Sequence, residues 1–239
     1  MSIYQTLKKE IEKLDLKPEK EEIGQVLEVG DGVARLSGLP YVKNFEVIEF
    51  ERTKTEGVAL NLEEDSVGAI ILGDFSRIKE SDIAKRTGRI LSCPVGEELI
   101  GRVVDPLGRP LDGKGQINAE KDYPLERIGP SVMEREPVNF PLHTGIKLID
   151  ALIPIGRGQR ELLLGDRITD KSPAALTCIL NQKKEPKRPI CVYVAVGKKE
   201  AEIARTVELL RKAGAMDYTI VVAAPASSPV SFWYLAPYA

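Results

Sequence analysis

The chain has 239 residues, 43% apolar and 29% charged, a balance that suits a folded globular protein of one or two domains and excludes a disordered or fibrous one. Its 34 basic and 36 acidic residues leave a formal net charge of -2, which excludes broad electrostatic attraction to nucleic acid or anionic lipid. The widely spaced Cys93, Cys178 and Cys191, with a single histidine, His143, argue against a zinc site or a disulfide framework and for an intracellular protein. Cys178 and Cys191 lie in apolar runs and read as small buried thiols.

Residues 1–21 read as an N-terminal helix or tail. Ile3, Leu7, Ile11 and Leu14 recur at spacings of three or four among lysines and glutamates and stop before Pro18, the pattern of a short amphipathic helix that docks on a partner or lies on the surface. This segment has no apolar h-region, and no later stretch approaches the roughly 18 uninterrupted apolar residues of a spanning helix. Membrane association is expected only through partners.

From residue 22 to 92 the texture is short β-type runs separated by glycine-containing turns, as in IGQVLEV (23–29), GDG (30–32) and VARL (33–36), with further runs at 46–50, 57–62 and 67–72. Strands of this length and spacing predict a small antiparallel barrel or sandwich. A domain boundary is expected near 93–96, and residues 93–239 read as a second domain.

Glycines and prolines crowd residues 96–140, which read as a loop-rich connector without identifiable chemistry. Beyond it the pattern alternates: helix 145–152, strand 161–164, helix 174–182, strand 190–196, helix 201–213, strand 219–224. Apolar strands alternating with helices predict a parallel sheet with helices on its faces.

Between the predicted strand 161–164 and the following helix stands Gly165-Asp166-Arg167-Ile168-Thr169-Asp170-Lys171-Ser172. A phosphate-binding loop reads G-x-x-x-x-G-K-[ST]; its backbone N–H groups surround phosphates, its lysine meets the β/γ-phosphates and its last hydroxyl meets magnesium. The place after an apolar strand and at a helix mouth is right for anions. Asp170, however, occupies the second glycine position and brings a β-carbon and a negative charge. Pro173 removes one prospective N–H donor, and Ile168 sets an apolar side chain in the loop. Two readings stay open: a weakened nucleotide site, with Ser172 as the magnesium hydroxyl, or a turn that keeps the shape without the ligand.

Several stretches together resemble the α subunit of the F-type ATP synthase: TGIKLIDALIPIGRGQREL (144–162), GDGVAR (30–35), NLEEDSVG (61–68), TGRI (87–90), GRVVD (101–105) and YLAPYA (234–239). The resemblance covers nearly the whole chain. It implies an N-terminal crown barrel (22–92) and a RecA-like, P-loop parallel-sheet domain (93–239) that is incomplete at its C-terminus. It also implies binding of Mg-ATP or Mg-ADP at residues 165–172 without turnover, catalytic β-type partners, a central-stalk γ subunit and peripheral-stalk subunits. The location it implies is peripheral, on the cytoplasmic face of an energy-transducing membrane, with a bacterial plasma membrane expected.

The family loop usually reads G-D-R-Q-T-G-K-T, so Ile168, Asp170 and Ser172 are departures. Where catalytic subunits carry a carboxylate that orients the attacking water, this chain has Lys198, which cannot serve as one; Glu200 reads as charge at a helix start. No catalytic residue is therefore assigned, and the chain is expected to be no enzyme on its own but a component of a proton-transporting complex. A full α subunit is about twice as long, so 232–238 is expected to expose an apolar surface. The alternative is a degenerate pseudo-subunit that binds no nucleotide and serves as an assembly module. A ring ATPase of the flagellar-export type, or an RNA-translocating helicase, shares the plan, but the 153–160 run and the lack of a basic face speak against both.

Overall fold

The computed structural model describes residues 22–166 and 171–239; the predicted helix within 1–21 and the loop positions Arg167, Ile168, Thr169 and Asp170 lie outside the described residues. Six strands, β1 (Ile23–Gly30), β2 (Val33–Ser37), β3 (Glu46–Phe50), β4 (Thr55–Leu62), β5 (Val67–Ile71) and β6 (Ile83–Ile90), close into a barrel in the order β1-β2-β5-β4-β3-β6. The open choice between barrel and sandwich is thus resolved for the barrel. Asp31 and Gly32 both take positive φ, 51° and 81°, the backbone a tight two-residue hairpin turn needs to join β1 to β2. Register shifts put extra residues on β1, on β4 and, opposite Glu46–Ile48, on β6, and such bulges add the curvature that closure requires. Leu36, Ile48, Phe50 and Ile71 fill the barrel interior, each contributing about 1.5–3 kcal/mol by leaving water.

One carboxylate sits fully buried at the barrel wall. Glu46 receives Arg86 Nε at 2.8 Å and Arg86 Nη2 at 3.1 Å, and the backbone N–H groups of Lys43 and Gly88 at 2.9 Å and 2.8 Å. Burial alone would raise its pKa, but these bonds outweigh it and hold the carboxyl below the usual carboxylate range.

The connector is more ordered than its glycines and prolines suggest. Strand β7 (Ser92–Val95) pairs antiparallel with β9 (Lys121–Pro124), while β8 (Val103–Val104), lying between them in sequence, joins a parallel sheet. Arg102 grips Asp112 through two bonds of 2.7 Å and 3.0 Å, and the guanidinium beside it holds the Asp112 carboxyl far below its ordinary value. A depressed carboxylate stabilises the fold above its unfolded pKa and loses that contribution as pH falls toward the folded value. Urea unfolding should therefore show Asp112→Asn clearly less stable than the parent at pH 7, with the gap narrowing below about pH 4. A gap that stays constant with pH would contradict this assignment.

Strands β10 (Pro141–Leu142) and β11 (Ile155–Gly156) form a short ribbon around helix α1 (Lys147–Leu152). Asp150 pins the start of that helix by accepting from Thr144 N–H at 2.9 Å, Thr144 Oγ1 at 2.7 Å and Gly145 N–H at 3.0 Å. Helix α2 (Lys171–Asn181), strand β12 (Cys191–Val196), helix α3 (Glu200–Lys212), strand β13 (Thr219–Ala224) and helix α4 (Val230–Leu235) complete the order. Strands β12 and β13 pair in parallel from Cys191↔Thr219 to Val196↔Ala224, and β13 also pairs in parallel with β8. Tyr193, Ala195, Val221 and Ala223 pack beneath Ile203, Val207 and Leu210 of α3, with Leu176, Ile179 and Leu180 of α2 against the same cluster.

Two expectations are corrected. The 161–164 segment is not a strand: it has no ladder partner among the described residues, and Leu162, Leu163 and Leu164 are 76%, 50% and 81% exposed. A parallel strand exists only through neighbours that satisfy its backbone, so apolar composition alone does not create one. Conversely, the 232–238 segment does not form an exposed apolar surface as a whole. Phe232, Leu235 and Ala236 are buried against Val104, Val222 and Ala224 in a cluster that also takes in Val47, Val58 and Leu72 from the outside of the barrel, although Tyr234 and Tyr238 remain exposed. Helix α4 thus covers one face of β13 and ties the sheet to the barrel. On β12 the side chains of Val192, Val194 and Val196, which continue that face, stay exposed.

Candidate functional site

The site forms where the carboxyl end of β12 meets the amino end of α2. In open parallel α/β sheets, ligands bind in the crevice outside the carboxyl ends of the strands, and the first turn of the next helix offers unbonded N–H groups to an anion. Lys171 and Ser172 occupy the first two positions of α2, so the helix starts three residues earlier than the predicted 174. Pro173 falls within that first turn, where a missing N–H costs no intrahelical bond. Its carbonyl accepts from Thr177 Oγ1 at 2.8 Å, in keeping with an unbroken helix.

Of the eight loop positions named from sequence, the structure describes Gly165, Asp166, Lys171 and Ser172. Gly165 and Asp166 are exposed and lie outside regular secondary structure. The Lys171 ammonium turns back on them, donating to the Gly165 carbonyl and, at 2.6 Å, to the Asp166 carbonyl. A phosphate would have to draw the ammonium off these carbonyls.

Lys198 was singled out from sequence as a residue unable to act as a carboxylate; the structure gives it a contact that sequence reasoning missed. Its ammonium donates to Ser172 Oγ at 2.8 Å and to the Tyr193 hydroxyl at 3.2 Å, and it stands 5.9 Å from the Tyr193 ring centroid, within cation–π range. The strand end aims it. Gly197 takes φ +64°, donates its N–H to the Ala224 carbonyl at 2.8 Å, and is followed by a bond of 2.9 Å from Ala226 N–H to the Lys198 carbonyl. The signal available in sequence was position: a lysine two residues past the carboxyl end of an apolar strand. Glu200 points elsewhere, opening α3 and accepting from Ser227 Oγ at 2.6 Å.

The arrangement bears on magnesium. The Ser172 hydroxyl is the group expected to meet that ion, and a fixed ammonium already rests on it. Unit charges about 4 Å apart repel by about 4 kcal/mol at an effective dielectric of about 20, and a dication doubles this. As arranged, the hydroxyl does not fit a divalent cation. Among the described residues no cluster of three or more His, Cys, Asp or Glu side chains could hold a metal, and no helix is long and apolar enough to cross a membrane.

The sequence matches the ATP synthase alpha/beta family twice, to its beta-barrel domain over residues 20–88 and to its nucleotide-binding domain over residues 145–239. The chain belongs to the ATP synthase alpha/beta family. Relatives include the ATP synthase subunit alpha of Aquifex aeolicus, 56% identical over 232 residues, and that of Dehalococcoides mccartyi strain 195, 55% identical over 237 residues. The subunit alpha of Limosilactobacillus reuteri DSM 20016 is 54% identical over 237 residues. These alignments cover 97–99% of this chain but 46% of each relative, so the chain spans about half the length of the curated relatives it matches. The barrel and the start of α1 onward are the two parts matched to this ATP synthase family, and the candidate site falls in the second.

Proposed function

We propose that this chain contributes the crown barrel and part of the nucleotide-binding domain of a non-catalytic, alpha-type subunit in the hexameric ring of a proton-translocating F-type ATP synthase. In this reading residues 22–92 join the crown, and residues 93–239 carry a weakened nucleotide site built on Gly165, Asp166, Arg167, Ile168, Thr169, Asp170, Lys171 and Ser172. The observation that carries it is the contact of Ser172, in the first turn of α2, with Lys198 just past the carboxyl end of β12, within the part of the chain matched to the nucleotide-binding domain. Lys198 stands where a catalytic carboxylate would be needed, so ATP is held and not hydrolysed. The partners are β-type catalytic subunits, the γ shaft and the peripheral stalk. Its place is peripheral, on the cytoplasmic face of an energy-transducing bacterial membrane, reached through those partners.

Co-expression with a bacterial β-type subunit and size-exclusion chromatography tests the ring assignment. The expected result is co-elution as a hetero-oligomer; separate elution of the two chains under conditions where each is folded would overturn it. A second reading, an assembly module that binds no nucleotide, is favoured by the Lys171 ammonium being satisfied by loop carbonyls and by the exposed 162–164 run. It shares the co-elution result and parts from the first at nucleotide titration.

A further inference from the structure

We propose that Lys198 is the resident cation of the candidate site, so that the phosphates of a nucleoside di- or triphosphate are taken up there without magnesium. This rests on reading the α2 mouth as a nucleotide site and specifies how that site balances charge. The Lys198 ammonium lies 2.8 Å from Ser172 Oγ, on the hydroxyl expected to bind the metal. It is held there from behind by the Tyr193 hydroxyl at 3.2 Å.

Tyr193 is itself buried in the α3-facing core, and the turn carrying Lys198 is tied by Gly197 and Ala226 to the strand end of β13. The charge is therefore placed by fixed elements, not by a long side chain wandering at the surface. An ammonium carries three N–H donors; among the described residues Ser172 and Tyr193 take two, leaving one for a phosphate oxygen. At the mouth of α2, backbone N–H groups and the helix dipole already favour an anion, and Lys198 adds a fixed positive charge there, while the Lys171 ammonium rests on the Gly165 and Asp166 carbonyls. A divalent ion entering beside Ser172 would face the Lys198 ammonium and would have to displace it first.

The test is isothermal titration of the purified chain with ATP in excess EDTA and in millimolar magnesium chloride, repeated for Lys198→Gln and Lys198→Arg after circular dichroism confirms that both fold. The parent is expected to bind in EDTA within a few-fold of its affinity in magnesium. Lys198→Gln should lose at least tenfold in EDTA and become magnesium-dependent, and Lys198→Arg should restore part of the metal-free binding. Binding by the parent that tightens tenfold or more with magnesium, or a Lys198→Gln variant unchanged in EDTA, overturns the proposal alone. Absence of heat from the parent in both media overturns the nucleotide reading and the proposal with it.

Discussion

Asp170→Gly is expected to tighten ATP binding by at least tenfold, measured by isothermal titration against the parent chain. A carboxylate about 4 Å from a phosphate oxygen repels it by about 4 kcal/mol at an effective dielectric of about 20. Tenfold in affinity needs about 1.4 kcal/mol, so even strong solvent screening leaves the effect measurable. Glycine also removes a β-carbon from a position that must let backbone approach the ligand. Asp170→Asn separates the two causes, because it removes the charge and keeps the β-carbon. Its affinity should fall between those of the parent and the glycine variant. Equal affinities for all three would show that the residue at 170 does not limit binding.

The second large effect concerns the barrel. Glu46→Ala should lower the free energy of unfolding by about 3 kcal/mol, because removing one partner strands the other charge and the donors that faced it. The lower end of the range for broken buried pairs applies, since Arg86 remains partly exposed and retains Glu22 at 3.1 Å. Glu46→Gln keeps an acceptor for the Gly88 N–H and should cost less. Urea denaturation followed by circular dichroism checks both. The depressed Glu46 carboxyl adds a pH dependence of the same sign as that of Asp112: full stabilisation above the ordinary carboxylate range, lost as pH falls through the folded pKa.

Much of this architecture is written locally. The short β-type runs between residues 23 and 72, the Asp31-Gly32 turn and the alternating pattern from residue 190 onward each follow from short-range chemistry, and the structure places strands and helices there within about two residues, whereas β6 (Ile83–Ile90) falls outside the named runs. What was illegible depended on partners distant in sequence. Leu162, Leu163 and Leu164 have a strand's composition, but a strand is a relation between segments. Phe232, Leu235 and Ala236 were expected to be exposed because a full α subunit is about twice as long, yet Val104, Val222 and Ala224 within this chain bury them. The brief β8, hidden among glycines and prolines, enters the sheet beside β13 for the same reason.

The candidate site divides in the same way. Lys171 and Ser172 were legible as the end of a motif and lie where a helix mouth puts them. Lys198 was legible only as a missing carboxylate. Its ammonium reaches Ser172 across 26 positions of sequence, and no spacing rule encodes that contact. It bears on the reading of the loop, since the hydroxyl expected from sequence to meet magnesium already carries a positive neighbour.

The proposed retention of ATP without turnover can be read in one calorimetric titration of the purified chain with ATP. Saturable binding heats in the micromolar to millimolar range are expected, each injection returning to the starting baseline. No heat at millimolar ATP, or a sustained baseline displacement from continuing hydrolysis, would contradict it.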